Sequence, residues 1–213
     1  MISSLLTVLV PAASYDLVDL ETVKEEFNIT GAGEDSRLAR WISVESTNIA
    51  NYCNRVFPVE KVSEVFYVRH PYDLTLPEPT PLQLTRFPVQ SIVSVTEDTD
   101  VTALPTDQYE VDKESGLLYR MRYGDGSRSN WWVAKVTVVY YGGFDVIPAD
   151  VMEQALIMLG IRRTSRGRDL SLRSFTIEGV GSETYGTQAT EYVDGLPLEV
   201  AGALSDYRII AVG

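Results

Sequence analysis

Apolar residues recur at helical spacing in an early stretch of the chain. The stretch begins after Asp19, a residue type that favours the N-cap position. Leu20, Val23 and Phe27 then follow at steps of three and four residues, ending near Asn28. The spacing predicts a short helix, which two glycines in residues 31–33 separate from the next element.

A longer helix is predicted to open at residues 34–36 and to end before Pro58. Glu45 interrupts its apolar stripe, so we expect Glu45 to mark the edge of the stripe or a contact with a neighbour. Cys53 lies on the apolar face and is expected in the core rather than as a nucleophile. The apolar members of the stripe are Leu38, Trp41, Ile42, Ile49, Tyr52, Cys53 and Val56.

The central part of the chain has the alternation and the β-branched and aromatic residues typical of β-strands. Lys113–Gly116 separates two such runs and predicts a hairpin turn. Pro71–Pro81, with four prolines, predicts a stiff loop. The predicted strands cover residues 62–68, 82–84, 92–95, 109–111, 117–119 and 136–140.

Three elements are predicted after the central strands. A third helix is predicted to begin at Pro148. Proline has no backbone N–H, and at the first helical position that N–H would have no partner within the helix, so proline is tolerated there. In residues 174–186, Phe175 and Ile177 alternate with polar residues, and glycines follow at 179, 181 and 186. This pattern predicts a strand or a mobile arm. A last amphipathic segment runs from Pro197 to about Tyr207. We therefore predict an α+β fold, a small helical bundle with a β-rich insertion and extended terminal arms.

We expect one domain over residues 1–213 with three approximate parts. These are a helical part over 1–58, a β-rich insertion over 59–145, and a helix, arm and tail over 146–213. The apolar start, Ile2–Val10, lacks a basic region before it, so we interpret it as an edge strand or docking arm rather than a signal peptide. No run approaches the roughly 20 apolar residues that a membrane span needs, and we expect no membrane partner.

Charge is distributed unevenly along the chain. The net charge is −12, which argues against broad, tight binding of nucleic acid. The exception is residues 161–173, which contain one acidic residue and five arginines: Arg162, Arg163, Arg166, Arg168 and Arg173. This stretch could bind an anionic partner. Alternatively, it could be a solvated helix end, where cations interact favourably with the negative end of the helix dipole.

Few residues have the spacing of a chemical site. His70, the single histidine, has no cysteine or carboxylate at metal-ligand spacing, and the single Cys53 excludes an internal disulfide. The acidic residues Glu97, Asp98, Asp100 and Asp107 lack the pattern of a calcium loop, and whether they bind a cation stays open. We expect no catalytic residue, no metal and no cofactor.

Five segments, in this order, resemble the head–tail connector adaptor proteins of tailed bacteriophages. The first two, helical in the family, are LTVLVPAASYDLVDLETVKEEFNI (6–29) and EDSRLARWISVESTNIANYCNRVF (34–57). A strand, glycine turn and Pro-led helix follow in VTVVYYGGFDVIPADVMEQALIMLGIRRTSR (136–166). The arm and the closing segment are SFTIEGVGSETYG (174–186) and LPLEVAGALSDYRI (196–209). The chain departs from the family at EEFNI, where the family commonly has a basic turn.

The resemblance implies a non-enzymatic ring, of twelve copies, in the neck of a virion made in the host cytoplasm. One face of the ring would bind the portal and the other a stopper or tail-completion protein, with the genome passing through the lumen. We expect the portal-docking tail at residues 197–213 and contacts with a neighbouring subunit or the portal in the C-terminal 50 residues. The candidate interface residues are Arg162, Arg163, Arg166, Arg168, Arg173, Leu198, Leu204, Tyr207 and Arg208.

Three alternatives stay open at this point. The chain could be another neck ring component, a stopper or tail-completion protein. It could also be a small-molecule-binding module that uses Trp131, Trp132 and Tyr140 as an aromatic pocket. An enzyme is the third alternative, although no carboxylate pair can be singled out among the 30 acidic residues.

Overall fold

The computed structural model describes residues 2–68, 79–98, 102–165, 174–177, 181–184 and 192–209, with the backbone alone at 165, 174–177 and 181–184. The chain divides into two compact units. One, the β unit, combines Met1–Ser14 with Val56–Val146, and the other, the helical unit, combines Tyr15–Arg55 with Ile147–Gly213. The predicted α+β class is confirmed. In the described part of the chain, no helix is both long and apolar enough to cross a bilayer.

The described residues of the β unit form two antiparallel sheets. Its strands are β1 Ile2–Val10, β2 Glu60–Val68, β3 Leu82–Gln83, β4 Val89–Glu97, β5 Tyr109–Asp112, β6 Leu117–Met121, β7 Arg128–Ser129 and β8 Lys135–Gly142. One sheet has the order β1, β2, β8, β4, and the other has the order β3, β6, β5 with β7 also paired to β6. The apolar start of the chain is therefore an edge strand, the first of its two predicted forms, and the Lys113–Gly116 turn joins β5 to β6 as predicted.

Side chains from both sheets form the core of the β unit. Successive residues of a strand point to opposite faces, and along β2 and β8 every second residue is buried. The buried residues of this core are Val62, Phe66, Leu82, Leu84, Val89, Val95, Leu118, Trp131, Val136, Val138 and Tyr140.

Two glycines at the end of β8 allow other backbone segments to approach closely. A Cβ atom on Gly142 would lie 2.2 Å from the Arg86 carbonyl oxygen, and one on Gly143 would lie 2.4 Å from that of Pro58. Gly143 also has a φ of +122°, which side-chain-bearing residues rarely adopt. The Gly142–Gly143 pair is therefore required by the packing of the β unit.

The described residues of the helical unit form four helices and two short antiparallel strand pairs. The helices are α1 Leu20–Glu26, α2 Asp35–Cys53, α3 Ala149–Ser165 and α4 Leu198–Ala203. The strands are β9 Ser174–Ile177 paired with β10 Gly181–Thr184, and β11 Tyr192–Val193 paired with β12 Leu196–Pro197. The stretch that predicted a strand or mobile arm thus contains the β9–β10 hairpin, described at residues 174–177 and 181–184.

The helix boundaries follow from local capping chemistry. The Asp19 carboxylate accepts a hydrogen bond from the Thr22 N–H at 2.8 Å and caps α1 as predicted. Asn54 ends α2 in a left-handed conformation, four residues before the proline expected to close it. Pro148 precedes the first residue of α3, and its carbonyl accepts from the Met152 N–H at 3.0 Å.

Candidate interaction surfaces

Arg162, the first of the predicted interface arginines, forms an internal contact of the helical unit. It lies in the last turn of α3 and pairs with Glu45 of α2, whose side chain is only 6% exposed. Asn48 Nδ2 donates a second hydrogen bond to the same carboxylate at 2.9 Å. The Arg162 guanidinium also lies over the Trp41 ring, 5.8 Å from its centroid. Glu45 is therefore buried by α3 rather than at the edge of the apolar stripe.

Arg163 is exposed but also contacts its own unit. Its Nη1 donates to the Phe27 carbonyl oxygen at 3.1 Å, at the C-cap of α1, and its guanidinium lies 5.3 Å from the centroid of the Phe27 ring. A cation at this position satisfies one of the free carbonyls of a helix end. The other predicted arginines, Arg166, Arg168 and Arg173, lie outside the described residues.

The predicted C-terminal tail folds onto α2 and α3 as far as residue 209. The Ile209 N–H donates to the Cys53 carbonyl at 2.9 Å, and the Tyr52 hydroxyl donates to the Ala201 carbonyl at 2.9 Å. The Tyr207 hydroxyl donates to the Asp150 carboxylate at 2.9 Å. Residues 197–209 are therefore part of the helical unit, and only residues 210–213 of the predicted tail lie outside the described structure.

The predicted interface residues of this segment differ in exposure. Leu204 is fully buried, whereas the Leu198 side chain is 50% exposed. Arg208 is exposed, pairs with Asp194 at 2.7 Å and lies 4.9 Å from the centroid of the Tyr52 ring. Of these side chains, Leu198 and Arg208 can reach a partner without unfolding the segment, whereas Leu204 belongs to the core.

The aromatic pocket considered for a small-molecule-binding module does not form from the three predicted residues. Trp131 and Tyr140 are core residues, with exposures of 3% and 0%. Trp132 is 41% exposed and instead lines an open cavity of about 280 Å³ together with Tyr123, which is 80% exposed. The Arg120–Glu97 ion pair, at 2.8 Å, also lines this cavity.

A buried polar network lies in the β unit, and the sequence pattern did not single it out. Glu64 is fully buried on β2 and accepts hydrogen bonds from the Thr85 N–H and the Tyr140 hydroxyl, at 3.0 and 2.8 Å. The Arg86 N–H donates to the Tyr140 oxygen at 3.0 Å, and Arg86 Nε donates to Glu60 at 2.8 Å. Burial, and then the adjacent Glu64 carboxylate, raise the pKa of Tyr140. We interpret the network as structural, because its members bond one another.

Two of the acidic residues considered for cation binding, Glu97 and Asp98, have partners within the β unit. Glu97 is in the ion pair with Arg120, and the Asp98 carboxylate accepts from the Lys135 N–H at 2.9 Å. Burial raises the pKa of the Cys53 thiol to about 11. Within the described ranges, no group of three or more His, Cys, Asp or Glu side chains could hold a metal ion. His70 and Asp100 lie outside those ranges.

The most exposed apolar element of the β unit is β1. All but one of its nine residues are exposed, including Leu5 at 59% and Val10 at 52%. The strand has no charged residue, no glycine and no proline. Natural proteins normally shield or interrupt such an edge, because its free backbone groups pair with other chains. The β1 edge is therefore a candidate interaction surface beside the arginines and Leu198.

Comparisons with known proteins show which solved structures share this fold. No protein-family model and no curated protein matches the sequence. Two solved structures match almost the whole chain: one is described as the neck of an empty GTA particle computed with C6 symmetry, the other as the virion of a native gene transfer agent (GTA) particle. Their TM-scores are 0.56 and 0.55, both at 10% identity, covering 98% of this chain and 97% of each matched chain. The predicted likeness to connector proteins of the phage neck is confirmed at the level of the fold.

Proposed function

We propose that the chain is a structural subunit of the neck of a phage-like particle, in the adaptor position between portal and stopper. The observation that carries this proposal is the likeness, over 98% of the chain, to a chain from a GTA particle neck. A match that covers both units of the chain supports a shared assembly role better than a match to one unit would.

Ring assembly is part of the proposal. The matched neck was computed with C6 symmetry, and twelve copies around the DNA channel are compatible with a six-fold axis. Subunits in a closed ring meet through two unlike surfaces. The exposed β1 edge in the β unit and the exposed Arg163 and Leu198 in the helical unit offer several such surfaces.

The charge of the chain suits a channel through which DNA slides. The net charge is −12, and phosphate groups are repelled by an acidic wall. α1 and the residues before it contribute exposed acids: Asp16, Asp19, Glu21, Glu25 and Glu26. We expect the purified chain to show no retention on double-stranded DNA at physiological salt, where binding depends on phosphate contacts.

The experiment that tests the proposal measures the mass of the purified chain, alone and mixed with its cognate portal ring. A chain that binds the portal and forms a ring on it supports the adaptor position. A chain that stays monomeric and unbound with the portal, while the portal binds another neck protein, contradicts it.

The same experiment separates the adaptor from its main rival, a stopper or tail-completion protein. Because the chain has both a β unit and a helical unit, its secondary structure does not distinguish these roles, but the order of assembly does. A stopper would bind only after an adaptor ring occupies the portal, whereas the proposed adaptor binds the bare portal.

Within this proposal, Arg163, Leu198 and Arg208 are the predicted interface residues best placed to contact the portal. All three are exposed, whereas Arg162 is paired with Glu45 and Leu204 is buried. Arg166, Arg168 and Arg173 remain candidates from their charge alone. Arg163→Glu should weaken portal binding without unfolding the chain, and Lys135→Glu, a charge reversal in the other unit, is its matched control.

A further inference from the structure

No described strand pairs with the outer side of β1. In an antiparallel ladder the N–H and C=O of a residue point to the same side, and the side alternates along the strand. The Val68 N–H donates to the Ala134 carbonyl at 2.9 Å, so Val68 and alternate residues before it in β2 bond β8. The remaining residues of β2 bond β1, and they pair with Ser3, Leu5 and Thr7.

The outward backbone groups of β1 therefore belong to the residues that alternate with those three, namely Ile2, Ser4, Leu6 and Val8. In the described part of the chain, β1 pairs with β2 and with no other strand. This leaves a row of N–H and C=O groups that another extended segment can pair with.

The opposite edge of the same sheet is already occupied. The Leu104 N–H donates to the Val95 carbonyl of β4 at 2.7 Å. The Val89 N–H donates to the Lys113 carbonyl at 2.6 Å, and Lys113 Nζ donates to the Gln90 carbonyl at 3.1 Å. Loops of the β unit thus cover the β4 edge, so the sheet can be extended by another strand at β1.

An extended segment with open edges exists in every copy of the chain. β9 and β10 pair only with each other among the described strands, over four residues each. A two-stranded hairpin is marginally stable alone in water and gains stability when it joins a larger sheet. The other strand pair of the helical unit differs, since Leu196 and Pro197 of β12 are buried.

We propose that the β9–β10 hairpin of one copy adds to the open β1 edge of the neighbouring copy, so that adjacent subunits share a sheet. The hairpin and the β1 edge are the two unlike surfaces that a head-to-tail ring requires. Backbone hydrogen bonds supply the pairing, and the exposed apolar side chains of β1 are then covered. This inference rests on the proposed ring function and identifies one contact between its subunits.

Disulfide trapping between two single-cysteine preparations tests the pairing. One preparation carries Ser4→Cys on β1, and the other carries a single cysteine at each of residues 174–177 and 181–184 in turn. All eight positions are tested because backbone direction alternates along each strand. Cys53 stays in both, since it is buried and its pKa is raised to about 11. A cross-link between the two preparations necessarily joins different copies.

We expect at least one hairpin position to cross-link to Ser4→Cys, both in concentrated solution and in rings on the portal. Asp125→Cys, in an exposed loop of the β unit, is the matched control and should not cross-link. Rings that show no cross-link at any of the eight positions would overturn the inference. So would a disulfide of Ser4→Cys with itself, because it would show β1 pairing with β1.

A backbone substitution gives an independent test. Ser4→Pro removes an outward N–H and keeps the hydrogen bonds between β1 and β2. Edge strands tolerate proline at such a position, where the N–H faces away from the sheet. We expect an unchanged unfolding midpoint and a roughly fivefold to tenfold weaker association per contact, the effect of one lost hydrogen bond. Ser4→Ala is the matched control and should associate as the wild type does.

The outcomes separate the inference from the proposed function. Rings of Ser4→Pro that form as readily as wild-type rings overturn the shared sheet and leave the neck role intact. Cross-links in solution by a chain that never binds the portal support the shared sheet and contradict the neck role.

Discussion

Glu45 and Arg162 lie 117 residues apart in the sequence and form an ion pair that joins α2 to α3. The pair changes how the arginine stretch is interpreted. A buried carboxylate needs a partner, and Arg162 supplies it, so this arginine stabilises the helical unit. A charge reversal at Arg162 should destabilise the unit, so a loss of portal binding by that variant would not identify a portal contact.

Loss of Arg162 should destabilise the helical unit. Arg162→Ala leaves the 6% exposed Glu45 side chain with Asn48 as its remaining described hydrogen-bond donor, and should lower the free energy of unfolding by about 2–3 kcal/mol. Urea unfolding measures this. Arg163→Ala, the neighbouring residue, should cost only about 1 kcal/mol. Equal effects of the two substitutions would contradict the structural role of the Glu45–Arg162 pair.

Alanine substitutions at two leucines of the C-terminal segment should differ in their effect on stability. Leu204→Ala opens a cavity at a fully buried position and should cost about 2–4 kcal/mol of stability. Leu198→Ala, at 50% exposure, should change stability by less than about 0.5 kcal/mol. If Leu198 contacts the portal, Leu198→Ala should weaken binding of the chain to the portal. Interferometry on immobilised portal measures this binding.

The same distinction changes how the tail is tested. Deleting residues 197–213 would remove the buried Val200, Ala201 and Leu204 and unfold the helical unit. Leu198→Ala and a deletion of residues 210–213 leave that packing in place. A loss of virions with these two variants would support the tail as a portal contact, and normal virions with both would oppose it.

Gly143 should not tolerate a side chain. Gly143→Ala places a Cβ atom 2.4 Å from the Pro58 carbonyl oxygen at a φ of +122°, and should cost about 2–4 kcal/mol. Gly202→Ala, in α4 with no atom within 4 Å of the new Cβ, should instead stabilise by about 0.5–1 kcal/mol. Thermal unfolding of both variants checks the contrast, and a neutral Gly143→Ala would refute the packing constraint.

The β unit should lose stability in alkali because of Tyr140. The folded-state pKa of Tyr140 is raised above its ordinary value of 10.0, so the folded chain holds the proton more tightly than the unfolded chain. The stabilisation is fully present below pH 10 and is lost as the pH rises above it, when the unfolded tyrosine ionises.

Tyr140→Phe isolates this contribution. The variant lacks the hydroxyl that bonds Glu64 and Arg86, and should be about 1–2 kcal/mol less stable than the wild type at pH 7. That difference should stay constant up to about pH 9 and shrink above pH 10, as urea unfolding at a series of pH values would show. A difference that grows in alkali would contradict the sign of the pKa shift.

Much of the secondary structure was predictable because its signals are local. Asp19 caps α1, Pro148 precedes α3, and Gly116 ends the turn of the β5–β6 hairpin, each acting within a few residues of the element it bounds. The resemblance to phage connectors was also carried by short segments, and the matched fold agrees with it.

The sequence by itself determined where most of the helices and strands form, that the chain is acidic, and that one stretch concentrates arginine. Only the tertiary structure decided which of the candidate residues are free to meet a partner. Leu198 and Leu204 have the same side chain, and their burial depends on α2 and α3, which come from distant parts of the chain. Likewise, β1 has an open edge because β2, some 50 residues later, pairs with its other side. These contacts join distant segments, so no local pattern encodes them.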